Sequence, residues 1–116
     1  MGTFATGQVI LLPFPFSDLS RSKYRPAVIL AYAGRGDWVL SQITSNPYAD
    51  LLAVELRQEG FAFGGLQRIS YARPGKLFTA HESLFAVVAG QLHHTVFVDL
   101  VMCVIQLLRP ADLGNK

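Results

Sequence analysis

The sequence predicts a mainly β fold, a small twisted and mostly antiparallel barrel or half-barrel followed by a C-terminal helix. Short apolar runs rich in β-branched residues recur between Gly, Pro, Asn and Ser punctuation, which is the pattern of short strands joined by tight turns. The most apolar stretch, residues 95–108, comes last and is stopped by Arg109-Pro110, as a helix would be. The 116 residues, 51% of them apolar, are enough for one domain over 1–116 to bury a core without metal or disulfide staples.

Residues 1–6 read as a loose start, and the first strand runs from about Gln8 to Leu12. Pro13 and Pro15 remove two amide donors and should end a central strand there. Ser17 to Tyr24 are polar and basic. A loop with three cations, Arg21, Lys23 and Arg25, therefore hangs between this strand and a second, Ala27 to Tyr32. Arg25 sits on the last hinge of that loop. Pro26 biases it towards extended backbone and so fixes the root of its side chain. Gly34-Arg35-Gly36-Asp37 reads as a four-residue hairpin connection to a third strand, Trp38 to Ile43.

Residues 44–50 have loop chemistry. Ala53 to Leu56 suits a short strand, after which Gln58-Glu59-Gly60 and Phe63-Gly64-Gly65 punctuate a second loop. Ser70 to Thr79 reads as a long strand with a turn or bulge at Pro74-Gly75. Thr79-Ala80-His81-Glu82 has capping-box spacing for one helical turn. Ala86 to Gly90 is a final short strand, making five or six in all. His94 or Thr95 caps a helix to about Leu108, with Arg109 as a cation at its C-terminus. Asp99 and Gln106 are the only polar residues between Val96 and Leu108. Such a helix should be buried on nearly every face, one side on the sheet and the other against a partner.

Charged residues make up 16% of the chain, against roughly 25% in ordinary domains. A surface so poor in charge implies an apolar face covered by a partner, most simply a second copy. The net charge of +2 argues neither for nor against nucleic acid. The single Cys103 excludes an intrachain disulfide and a cysteine metal cluster, and reads as a small core residue. The opening residues lack a basic n-region and a long apolar stretch. Residues 95–108 are too short to span a bilayer and contain Asp99. The expectation is a bacterial cytoplasmic protein with no membrane partner.

Several residue groups could carry chemistry. A guanidinium is always charged and forks across two phosphate oxygens, so Arg25 is suited to phosphate. Most arginines are merely surface residues, but this one is pinned by Pro26 and preceded by other cations. Thr44 and Ser45, at the end of the third strand, can donate to a phosphate or oxyanion. Taken alone they are more simply turn residues. Hairpin geometry, however, brings Arg25 and Thr44 to the same edge of the sheet. Of His81, His93 and His94, the adjacent pair points in different directions, and capping or surface roles suit all three. Arg73 and Lys76 flank the Pro74-Gly75 kink and could touch a phosphate backbone or simply form a solvated turn. Phe14, Phe16, Tyr24 and Tyr71 could stack on unpaired bases, although most aromatics in a small domain are core. No P-loop, dinucleotide fingerprint, zinc motif or serine elbow is present in the sequence.

Across nearly its whole length the chain resembles the MazF/PemK family of bacterial toxins from type II toxin–antitoxin systems. The most specific block is the opening strand with Phe14-Pro15-Phe16-Ser17-Asp18-Leu19 and Lys23-Tyr24-Arg25-Pro26-Ala27-Val28-Ile29-Leu30. Ser41-Gln42-Ile43-Thr44-Ser45, Gly65-Leu66, residues 70–79, His81-Glu82-Ser83-Leu84 and Gly90-Gln91-Leu92 follow in the family's order.

The resemblance implies an SH3-like barrel that forms a homodimer, and a sequence-specific endoribonuclease cutting single-stranded RNA with neither metal nor other cofactor. It implies 2′,3′-cyclic phosphate and 5′-hydroxyl products. Arg25 and Thr44 match the family's two catalytic positions. Ser17, Asp18, Ser20, Lys23, Ser45, Arg73 and Lys76 are the expected RNA contacts. The implied partner is a cognate antitoxin that blocks the groove with an acidic tail, and DNA would be met only through that antitoxin. The family usually has an acidic residue after the first Gly, where this chain has Gln8. Two alternatives stand beside this reading: a non-nucleolytic toxin resembling the gyrase poison CcdB, and a degenerate binding module without activity.

Overall fold

The computed structural model describes residues 3–14 and 23–111. Seven strands form one antiparallel sheet: β1 (Gln8–Phe14), β2 (Lys23–Gly34), β3 (Asp37–Thr44), β4 (Val54–Leu56), β5 (Phe61–Gly64), β6 (Ser70–His81) and β7 (Val87–Leu92). One helix, α1 (His94–Leu108), follows. The strand order is β4-β6-β3-β2-β1-β7-β5, and the sheet curls into a nearly closed barrel. The edge strands β4 and β5 are joined only by Arg57 and a 3-10 turn over Gln58–Gly60, and their Leu56 and Phe61 meet in one apolar cluster.

That cluster holds Val9, Val28, Ile43, Ala72, Leu92 and Leu100 as well. Side chains from the alternate positions build a second one, with Ile10, Leu12, Phe14, Ala27, Ile29, Trp38, Leu40 and Phe85. Both faces of β1 and β2 are thus covered. This is why Val9-Ile10-Leu11-Leu12 and Ala27-Val28-Ile29-Leu30 read as continuous apolar runs and not as alternation.

The barrel and its terminal helix match the sequence expectation, while several elements differ. β1 runs on through Pro13 to Phe14, and β2 begins at Lys23, so Arg25 and Pro26 lie inside a strand. Each proline falls where one flank of its strand is bare: β7 pairs with β1 only as far as Leu11, and β3 pairs with β2 only from Ala27. A missing amide donor is tolerated there.

Gly34 and Asp37 still pair, so the β2–β3 connection is two residues long. Arg35 and Gly36 both have positive φ, 57° and 83°, the pattern of a type I′ turn. A Cβ on Gly36 would also fall 2.5 Å from His81 Nε2, so that position needs glycine twice over. The Phe63-Gly64-Gly65 stretch was expected as loop, yet Phe61–Gly64 is strand β5. Gly64 (φ 69°) passes so close to β7 that a Cβ would fall 2.2 Å from the Ala89 carbonyl oxygen, and only glycine lets these backbones meet.

The turn expected near Thr79 is a 3-10 turn over Glu82–Leu84, capped by His81, whose Nδ1 accepts from the Ser83 amide at 3.0 Å. β6 has already carried Thr79 and Ala80 into pairing with Val39 and Trp38, which removes them as caps. At α1 the N-cap is His93, without a side-chain cap bond, in place of His94 or Thr95.

Helix α1 lays one side on the sheet, as expected. It packs against β6 and β4, and Leu100 is its one buried residue, with Val96 and Phe97 partly buried beside it. Cys103 is only partly buried. A single barrel offers the helix one face to lie on. Val98, Met102, Ile105 and Leu108, on the opposite stripe, remain exposed. Among the described residues no helix is long and apolar enough to cross a membrane.

Leu100 is the peg that ties α1 to the barrel. Leu100→Ala should cost about 2–5 kcal/mol, measured as a fall in urea midpoint at unchanged slope.

Candidate functional site

β2 carries Arg25 beyond the end of its pairing with β3. The register sets Ala27 against Gln42 and Val28 against Ser41, and carried two residues further it sets Arg25 opposite Thr44. Both side chains line one open cleft of about 470 Å³. Ser45 continues the wall from the end of β3. Arg68 and Ser70 face it from residues 65–70, and Gln42 lies between. Arg25 and Arg68 are two cations among the described residues that line this cleft. Such a cleft suits an anion.

The Thr44 hydroxyl is prepared for donation. Its Oγ1 accepts from the Asn46 amide at 3.1 Å, so its own hydrogen is left for a ligand. Asn46 then turns the chain away, its Oδ1 accepting from the Tyr48 amide at 2.9 Å. The opposite wall is held by main-chain and amide bonds. The Gly65 amide donates to the Ala89 carbonyl at 3.1 Å, and Gln58 Nε2 donates to the Gly64 carbonyl at 2.8 Å. These bonds set the loop that presents Arg68.

A second cleft of about 300 Å³ adjoins the first. Leu12, Phe14, Phe78 and Leu84 make it apolar, and Lys76 stands among its lining residues. Phe14 and Phe78 meet edge to face at 4.9 Å and 78°. Gln42 lines both clefts. It is 8% exposed, and its Oε1 is buried with no hydrogen-bond partner. An unsatisfied buried carbonyl costs about 1–3 kcal/mol.

No protein-family model matches the sequence, and none of the curated proteins does. Solved structures do match the fold. A MazE-MazF complex from Deinococcus radiodurans aligns with TM-score 0.72 at 18% identity, covering 93% of this chain and 97% of that one. A mycobacterial endoribonuclease in complex with its cognate antitoxin aligns with TM-score 0.69 at 13% identity over 100% of both chains. The Mycobacterium tuberculosis toxin MazF-mt6 aligns with TM-score 0.68 at 16% identity, covering 93% and 99%.

The chain has the MazF fold. Within it, three of the residues singled out from the sequence, Arg25, Thr44 and Ser45, come together in the larger cleft. Lys76 falls in the smaller one. Lys23, at the start of β2, is exposed and lines neither. Ser17, Asp18 and Ser20 lie outside the described residues, as do Phe16 and Arg21.

Arg73 is placed away from both clefts. Its Nη2 donates to the Ala49 carbonyl at 3.0 Å, and its Nε lies 3.7 Å from Asp50 Oδ2. The guanidinium therefore holds the 45–53 loop against β6. Gln8 lies four residues along β1 from Leu12, the partner of Arg25, roughly 13 Å away at strand rise. Its Oε1 accepts from the Ala5 amide at 3.0 Å, so in this MazF fold position 8 closes the chain's first turn, well away from the cleft.

Sequence reading missed Arg68 and Gln42. Arg68 carries no local signal, because only folding swings its loop over the cleft. Gln42 did carry one, being an uncharged polar residue inside an apolar strand run, where polar groups are uncommon.

The Asp50–Arg73 clamp is testable. Asp50→Ala removes the acceptor for the Gly75 amide (3.0 Å) and for Arg73 together, and should cost about 1–3 kcal/mol in denaturant unfolding.

Proposed function

We propose that the chain is the toxin of a type II toxin–antitoxin system, acting as a sequence-specific endoribonuclease on single-stranded RNA in the bacterial cytoplasm. The observation that carries this reading is the meeting of Arg25 and Thr44 in one cleft of a MazF fold.

RNA brings its own nucleophile. The 2′-oxygen attacks the neighbouring phosphorus as its proton leaves. The bond from phosphorus to the 5′-oxygen breaks, and that oxygen takes up a proton. The products are a 2′,3′-cyclic phosphate and a 5′-hydroxyl, and the reading requires no metal. Arg25 stabilises the charge that builds on the phosphoryl oxygens, and Thr44 donates its hydroxyl hydrogen to one of them. Arg68 adds a second cation that holds the strand.

Solved neighbours described as MazE-MazF and as an endoribonuclease with its cognate antitoxin support an antitoxin partner, which in this reading occupies the cleft. Contact with DNA would then come through the antitoxin. The exposed stripe of Val98, Met102, Ile105 and Leu108 on α1 supports a homodimer.

Purified protein in EDTA, incubated with a long unstructured RNA, should make discrete cuts with 5′-hydroxyl ends. Arg25→Ala should lower the rate by about 10²–10³-fold and Thr44→Ala by about 10²-fold, with both variants folded. Undiminished cutting by Arg25→Ala would remove the mechanism. Gyrase inhibition without RNA cleavage would assign the fold to a CcdB-like, protein-binding role. In sedimentation at micromolar concentration the protein should run as a dimer, and Met102→Glu should shift it towards monomer.

A further inference from the structure

We propose that the smaller cleft is a nucleobase subsite and that Gln42 reads the edge of the base it holds. The proposal rests on the reading of the larger cleft as the place of the scissile phosphate. Gln42 is more than nine-tenths buried, yet it lines both clefts. Its Oε1 is buried and unpartnered. A side-chain amide whose carbonyl has no partner gains by turning to a ligand, and it can offer a donor and an acceptor side by side, which is what the edge of an unpaired base requires.

The cause lies in the backbone. Gln42 sits opposite the β6 bulge, where Ser41 pairs with Leu77 and Ile43 with Ala72. Gln42 has no residue of β6 in register against it. The bulge also places Lys76 in the smaller cleft, a cation for the next phosphate along the strand. The remaining walls, Leu12, Phe14, Phe78 and Leu84, are apolar, and they suit the faces of one base. With the scissile phosphate against Arg25 and Thr44, the base of the adjoining nucleotide would enter the cleft that shares Gln42.

Two measurements test this. In the first, wild type, Gln42→Ala and the near-isosteric Gln42→Met cut a random-sequence RNA pool, and the 5′-hydroxyl ends are sequenced. Base preference at one position beside the cut should fall by about tenfold or more in both variants. Unchanged preference overturns the proposal and leaves the nuclease reading intact.

In the second, the Gln42 side-chain amide signals, assigned by their loss in Gln42→Met, are followed by ¹⁵N NMR. A short oligoribonucleotide made uncleavable by 2′-deoxy substitution should move them, and its abasic counterpart should not. Equal movement by both overturns base reading, as does no movement by either. Movement with protein concentration alone assigns the cleft to contact between copies and overturns it as well. The second measurement does not depend on cleavage, so a failure of base reading is distinguishable from a failure of the nuclease reading.

Discussion

Between Ser41 and Ile43, β3 advances two residues while β6 advances five, from Leu77 to Ala72. The four residues 73–76, set against the single Gln42, form the bulge on which the rest of the site depends. Three bonds pin it. Ser41 Oγ donates to the Arg73 carbonyl at 2.7 Å, the Gly75 amide donates to Asp50 Oδ2 at 3.0 Å, and Arg73 Nη2 donates to the Ala49 carbonyl at 3.0 Å. A bulge breaks a ladder and bends its strand, and it needs such outside partners to persist. Here it opens the sheet at Gln42, so that two clefts meet at one side chain. It also carries Pro74 into the interior and Lys76 out to the surface.

The rest of the barrel holds that opening still. β1 and β2 are covered on both faces, and Val9, Ile10, Ala27, Val28 and Ile29 have no exposed surface. Arg25 stands just beyond this rigid stretch, two residues past the last β2–β3 pair, while β1 still backs it through Leu12. A cation rooted so firmly loses little freedom when it meets an anion, which is the general advantage of a preorganised site. The residues that meet a ligand are therefore at strand ends and in short loops, while the strands themselves supply position.

Much of this was legible beforehand because it is local. Apolar runs marked β1, β2 and β3, and Pro74-Gly75 marked the bulge. The grouping of Arg25 with Thr44 followed from antiparallel pairing across one hairpin. What was misread involves partners distant in sequence. Pro13 and Pro26 looked like strand ends because sequence does not show that β7 and β3 stop short of them. Phe61–Gly64 looked like loop because only the approach of Ala89 makes its glycines a strand necessity. Gln8 stood out only as a departure from the acidic residue usual in the resembled family, and the fold gives it a local bond to the Ala5 amide.

By itself the sequence determined the class of fold, the hairpin that joins Arg25 to Thr44, and the apolar helix that ends the chain, since each follows from periodicity, turn chemistry or adjacency. Tertiary structure alone decided that Arg68 closes the cleft, that Arg73 turns inward to Asp50, and that Gln42 stands between two clefts. The reason is physical. These placements depend on where a second strand ends or shifts register, and that is settled by the packing of the whole barrel.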